Sequence, residues 1–315
     1  MKAPAFLRAM RPHQWVKNVF VLAAVVFARG DAAHAATLPD DYSDVWRSLL
    51  AFFAFAFGSS SIYLVNDVMD VESDRKHPTK KNRPIASGEL SIPGALMLSL
   101  VCVGTALGLS WLAGGKSTEV IVVVGGYMLM NLAYSVKLKH IVLVDAFCIA
   151  IGFILRVKAG GLAADYYVSH WLILCTLFLS LFLALNKRRA EIDLLGDDSA
   201  SHRANLKEYT PAFLDQMVTV LAATTIVCYT MYTVSDETAA KFGAQNLLIY
   251  SVPFVVFGLG RYMLLVQTQQ GGGSPTKMLL GGDGIFVLNG LLWLVVVIAV
   301  IFNAEPPGFI DPGID

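Results

Sequence analysis

Apolar side chains run along this chain in nine blocks, at 16–29, 46–65, 93–114, 119–136, 141–163, 169–187, 212–234, 246–266 and 284–303, separated by short polar segments. Most approach the roughly 20 residues that a helix needs to cross a hydrocarbon core. A backbone inside lipid must satisfy its own hydrogen bonds, so the blocks predict helices. The expectation is an all-α polytopic membrane protein with nine transmembrane helices in one domain over 1–315. The first block is short and follows Arg11-Pro12, which predicts a broken or tilted helix there.

Composition sharpens this picture. Only 15% of the 315 residues are charged, against about 25% in soluble domains. Disordered chains, nucleic-acid binders and small disulfide scaffolds are excluded. Cys102, Cys148, Cys175 and Cys228 each stand alone in an apolar block, without ligand spacing, and read as small buried hydrophobes. Lys2, Arg8, Arg11 and Lys17 precede the first block without a small-residue cleavage site, so no removable signal peptide is expected.

The cations lie on alternate sides of the blocks. Eighteen fall on the N-terminal side, in the N-terminus, the segments 66–92, 137–140 and 187–211, and the 261–283 region; four (Arg29, Arg47, Lys116, Lys241) fall on the other. The positive-inside rule then predicts that the N-terminus and long polar loops are cytoplasmic, and an inner (cytoplasmic) membrane location is expected. Loops 66–92 and 187–211 are expected to carry the site.

The second block ends in Asn66-Asp67-Val-Met-Asp70-Val-Glu-Ser-Asp74-Arg75. Asn66, Asp70 and Asp74 recur every four residues and Asp67 precedes Asp70 by three, so their oxygens can share one helical face. Carboxylates crowded at a membrane boundary repel one another. A bound Mg2+ relieves this, since it takes one or two carboxylates together with substrate phosphates. The run Lys76 to Gly88 follows, with Lys80, Lys81 and Arg83 as partners for phosphate oxygens.

These residues resemble the first aspartate motif, NDxxDxxxDR, of the UbiA superfamily of intramembrane prenyltransferases. The Arg83 to Gly88 segment, RPIASG, fits as well. The resemblance implies that Asn66, Asp67, Asp70 and Asp74 hold Mg2+ and the diphosphate of a donor, with the three aspartates as the catalytic core.

Other segments resemble the branch of that superfamily that transfers phosphoribose to decaprenyl phosphate. They are Met10 to Asn18, Tyr134-Ser-Val-Lys137-Leu-Lys139-His140, Asp145, Gly152 to Gly161 with Arg156 and Lys158, and Asn186-Lys187-Arg188-Arg189-Ala-Glu191. The resemblance implies transfer of 5-phosphoribose from phosphoribosyl diphosphate (PRPP) to a polyprenyl phosphate in the bilayer, releasing diphosphate. Asn66, Arg75, Lys80, Arg83, Lys17, Tyr134, Lys137, Lys139, Asp145, Arg156, Lys158, Lys187, Arg188, Arg189 and Glu191 are then expected to bind substrate.

The residue chemistry agrees in kind: three anionic groups across the two substrates need many cations. Arg156 and Lys158 stand out, because a cation within a span is a functional candidate, although snorkelling to the interface is an alternative. The PRPP loop of soluble phosphoribosyltransferases is absent, so PRPP rests on the resemblance. Asp193 and Asp197 spell a second DxxxD, either a second metal site or a solvated loop. Two other readings are an aromatic prenyltransferase using polyprenyl diphosphate and a transporter; no second NDxxD-like segment marks the repeat that a transporter fold favours.

Overall fold

In the computed structural model, residues 4–36, 42–115, 117–195, 208–242, 246–268 and 283–303 are described, and none of them forms a strand. The apolar blocks become helices α1 Val19–Gly30, α2 Ser43–Met69, α3 Ile92–Gly114, α4 Glu119–Val136, α5 Val144–Ala164, α6 His170–Leu195, α7 Pro211–Val234, α8 Val252–Thr268 and α9 Gly284–Asn303. Their starts follow local chemistry. Ser91 accepts from the Gly94 N–H at 3.2 Å ahead of α3, and Thr210 from the Phe213 N–H at 3.2 Å ahead of α7. Each is followed by a proline in the first turn, where its missing N–H costs nothing.

Eight of these helices are long and apolar enough to cross a membrane, with α8 extended by the 3-10 turn Leu247–Ser251. The chain is an integral membrane protein. The expected count of nine spans is corrected by α1. Its 12 residues rise about 18 Å, against a hydrocarbon core of about 30 Å. The reason is local: the 3-10 turn Pro12–Asn18 takes up the start of the block, and α1 stops before Asp31, whose carboxylate accepts from the His34 N–H at 3.1 Å. Lys2, Lys116, Asp197, Arg203, Lys207, Lys277 and the 271–275 segment lie outside the described residues, and of Asp193 only the backbone is described.

Two compact units divide the chain. The first holds Met1–Val26, Leu38–Leu138 and Gly152–Val168; the second holds Phe27–Thr37, Lys139–Ile151 and Ser169–Asp315. In the first, α2 packs along α3 and α4 through small side chains, with Ala51, Ala54, Gly58 and Ala106 buried at the seam. Small residues let helix backbones approach closely where lipid supplies no hydrophobic drive. Gly160 of α5 shows the same need, since a Cβ there would stand 1.9 Å from the Val21 carbonyl oxygen. In the second unit, α6 packs along α7, with Phe182, Leu185, Leu214, Val218 and Tyr262 in one core. All four cysteines are free thiols; Cys175 is half-buried and the others are buried.

Candidate active site

A small apolar cluster decides where the N-terminus goes. Ala9 and Met10 of the helix Ala5–Met10 pack with Leu64, Val71, Ile85, Ala95 and Cys102. Their burial joins three things: the N-terminus, the end of α2 and the loop that starts at His77. Arg8 and Glu89 add an ion pair between the first and the last of these. The helix ends at Arg11, whose φ of 54° is left-handed. That conformation costs a non-glycine residue about 1 kcal/mol, and here it turns the Arg11 side chain onto the end of α2.

There the acidic motif folds around two guanidiniums. Asp67 and Asp74 are 3% and 2% exposed. Nη1 of Arg83 donates to Asp67 Oδ1 at 3.0 Å and to Asp74 Oδ2 at 2.7 Å, bridging both carboxylates. Nη2 of Arg11 donates to the same Asp67 oxygen at 2.5 Å, and its guanidinium lies 4.9 Å from the Tyr63 ring. Asp70 interrupts the helical face expected from the spacing, because α2 ends at Met69 and a short helix restarts at Val71. Its side chain is half-buried. Arg75 turns away, pairing with Glu72 at 3.0 Å and with the Ala86 carbonyl at 3.3 Å. Lys80 is exposed. Partial burial, then the charges of Arg11 and Lys17, hold the His13 imidazole below its ordinary range.

The donor set fits a hard divalent cation. Asn66 Oδ1 is buried with no hydrogen-bond partner, and the neighbouring polar side chains Asp67 and Asp74 are buried carboxylates. Among the described residues no three His, Cys, Asp or Glu side chains converge as a metal cage. Mg2+ does not need one, since it keeps waters and substrate phosphates beside one or two carboxylates. Arg83 already shows that one cationic centre can bridge Asp67 and Asp74.

Deeper in the first unit, Arg156 is 6% exposed within α5. Its Nε donates to Asn18 Oδ1 at 2.7 Å, Nη1 to the Gly152 carbonyl at 3.0 Å and Nη2 to the Tyr127 hydroxyl at 2.7 Å. The rings of Tyr127, Phe153 and Phe55 lie 4.7, 5.2 and 5.7 Å away. Arg156 therefore does not snorkel. Lys158 and Tyr134 are half-buried, as is Lys17, and Lys137 is exposed.

The second unit gathers another predicted group. Asp145, fully buried, accepts from Arg188 Nε at 2.9 Å, from the Tyr209 hydroxyl at 2.9 Å and from the Ala146 N–H at 2.9 Å. Arg188, 1% exposed, also donates to Glu191 at 2.9 Å. Tyr209 in turn accepts from the Leu143 N–H at 2.7 Å, and Leu143 has a left-handed φ of 65°. Burial raises the Tyr209 phenol above its ordinary value of 10.0, the Leu143 N–H opposes this, and the Asp145 charge adds to it. Lys187 pairs with Glu191 at 3.7 Å, and Arg189 donates to Asp215 at 2.8 Å. Lys139 is half-buried.

Four residues outside the predicted set complete these groups: Arg11, Asn18, Tyr127 and Tyr209. Arg11 and Asn18 lie in the Met10 to Asn18 segment singled out by resemblance. Nothing local marks the other two, whose partners are 29 residues away for Tyr127 and 64 for Tyr209.

The chain matches the family model of the UbiA prenyltransferase family over residues 18–271. It is 36% identical over 300 residues to a decaprenyl-phosphate phosphoribosyltransferase of Corynebacterium glutamicum, covering 95% of this chain and 87% of that protein. A decaprenyl-phosphate phosphoribosyltransferase of Mycolicibacterium smegmatis is 35% identical over 301 residues, covering 94% and 92%. In fold, the chain is similar to a UbiA homolog from Archaeoglobus fulgidus solved with GPP and Mg2+, at a TM-score of 0.68 and 18% identity, over 94% of this chain and 99% of that one.

Proposed function

This chain belongs to the UbiA prenyltransferase family, and we propose that it transfers 5-phosphoribose from PRPP to a polyprenyl phosphate, releasing diphosphate. The observation that carries the reading is the pair of buried carboxylates, Asp67 and Asp74, meeting Arg83 and Arg11 at the end of a membrane-spanning helix. The relatives named for decaprenyl phosphate support the phosphoribose branch over an aromatic prenyltransferase.

In this reading Asn66, Asp67, Asp70 and Asp74 would hold Mg2+ with the donor diphosphate, and the ion when bound would supply neutralising charge for the leaving group. Arg11 and Arg83, with Lys80 and Arg75 nearby in the chain, supply donors to the diphosphate oxygens. The bond from C1 to the diphosphate oxygen breaks with oxocarbenium character, and an oxygen of the lipid phosphate forms the new bond to C1. That oxygen is already ionised at neutral pH, so no general base is needed. Catalysis is then positioning and electrostatic stabilisation. Loop 66–92 serves the diphosphate. Lys17, Tyr134, Lys137, Lys139, Arg156, Lys158, Lys187, Arg189 and Glu191 are assigned to substrate anions and their orientation, with Asp145 and Arg188 as positioning residues. The whole chain acts as one intramembrane domain, with loop 187–211 as a second carrier of these cations.

The test is turnover. Purified protein in detergent with PRPP labelled in the ribose, Mg2+ and decaprenyl phosphate should form a lipid-extractable ribose phosphate. Prenylation of an aromatic acid from polyprenyl diphosphate, with no such product, would overturn the branch and leave the fold intact. The motif side is proposed to face the cytoplasm of an inner membrane. An impermeant thiol reagent should then label Lys241→Cys but not Lys80→Cys in intact cells, and the reverse pattern refutes this.

A further inference from the structure

The environment of Arg156 is short of negative charge and holds an unused donor. Among the described residues no carboxylate lies within ion-pair distance of its guanidinium, and its three contacts are an amide oxygen, a backbone carbonyl and a phenol. A buried cation satisfied only by neutral groups and ring faces is costly, and the cost falls when an anion arrives.

Asn18 supplies the second, independent observation. It is 1% exposed, and its amide nitrogen is buried without a partner. The amide cannot be turned over to find one, because Arg156 Nε is a donor and requires the oxygen to face it. So the Arg156–Asn18 pair ends in an unpaired N–H2 beside an uncompensated charge. One oxyanion would satisfy both.

We propose that Asn18 Nδ2 and the Arg156 guanidinium form a binding subsite for a phosphomonoester. This deepens the reading above and rests on it, since both substrates of that reaction carry one: the head of the polyprenyl phosphate and the C5 phosphate of PRPP. The surroundings favour the lipid head. Phe20 stacks edge-on against Phe153 at 5.1 Å, and Val19 and Phe20 beside Asn18 are exposed on a membrane protein.

Asn18→Asp is the sharpest probe. It keeps an oxygen for Arg156 Nε, removes the Nδ2 donor, and adds a charge that pairs with Arg156 in place of the ligand. Two readouts are needed: equilibrium binding of farnesyl phosphate, with farnesol as neutral control, and KM for each substrate. We expect farnesyl phosphate to bind about tenfold or more weakly, KM for polyprenyl phosphate to rise by a similar factor, and farnesol binding and KM for PRPP to stay within about twofold. A rise in KM for PRPP with farnesyl phosphate binding intact supports the subsite and assigns it to the C5 phosphate. Unchanged farnesyl phosphate binding and unchanged KM for both substrates, in a variant that melts like the parent, overturns it. If that variant does not fold, Asn18→Ala removes the same donor and is read by the same two measurements: weakened farnesyl phosphate binding or a raised KM for either substrate supports the subsite, and no change in any of them overturns it. Absence of lipid-linked ribose phosphate from the parent protein would instead sink the reaction, while the binding result would still judge the subsite.

Discussion

Arg188 and Asp145 are 1% and 0% exposed, so neither charge has water to fall back on. Replacing Arg188 with Met keeps the helix propensity and most of the volume of the stem but removes its hydrogen bonds to Asp145 and to Glu191. Glu191 is partly exposed and still has Lys187 at 3.7 Å. Asp145 keeps only Tyr209 and the Ala146 N–H, with its charge uncompensated. Stranding one member of a buried pair costs about 3–5 kcal/mol, a loss on the order of a hundred- to a few thousand-fold in the folding equilibrium. The second substitution, Asp145→Asn, keeps acceptors for Tyr209 and Ala146 while deleting the charge. The double variant Arg188→Met/Asp145→Asn should therefore recover roughly 2 kcal/mol relative to the sum of the singles. Reversible unfolding of all four proteins in mixed micelles, followed by tryptophan fluorescence, measures this coupling. A single-variant loss below about 1 kcal/mol, or strict additivity in the double variant, would refute the account of Arg188 as the counter-charge that holds Asp145.

Asp70→Asn should abolish turnover with Mg2+ while leaving the melting temperature near that of the parent, because Asp70 carries neither guanidinium bond of the motif; full activity of this variant in EDTA would exclude the metal role. Arg83→Gln removes the nitrogen that bridges Asp67 and Asp74, so PRPP binding should weaken by about tenfold or more, and unchanged PRPP affinity contradicts the assignment. Gly160→Ala drives a Cβ to 1.9 Å from a backbone oxygen and should cost about 1–3 kcal/mol, whereas a wild-type melting curve would mean that α1 and α5 do not approach as described. Tyr209 stays protonated in the fold above its ordinary value of 10.0. Its contribution is therefore complete below about pH 10 and lost as pH rises toward the folded value. Tyr209→Phe should flatten that alkaline slope in a pH series of melting temperatures, and an identical slope in both proteins would count against it.

The spans were legible from the chain because each is a local, continuous apolar run, and a membrane leaves such a run one way to satisfy its backbone. The blocks 93–114, 119–136 and 284–303 end within a residue of α3, α4 and α9. The acidic motif was legible for the same reason: Asn66, Asp67, Asp70 and Asp74 are neighbours along one short stretch of sequence. What holds those side chains depends on packing between distant segments, and no periodicity reports it. Arg11 reaches Asp67 across 56 residues because Met10 and Ala9 bury against Leu64 and Ile85. Arg188 looks like the middle of a basic phosphate-binding run, yet the turn of α6 aims it into the core at Asp145, 43 residues away, while Lys187 beside it stays exposed. Asn18 meets Arg156 across 138 residues. Charge type and spacing can be read along the chain, but the partner of each charge follows from which helix faces the apolar side chains bring together.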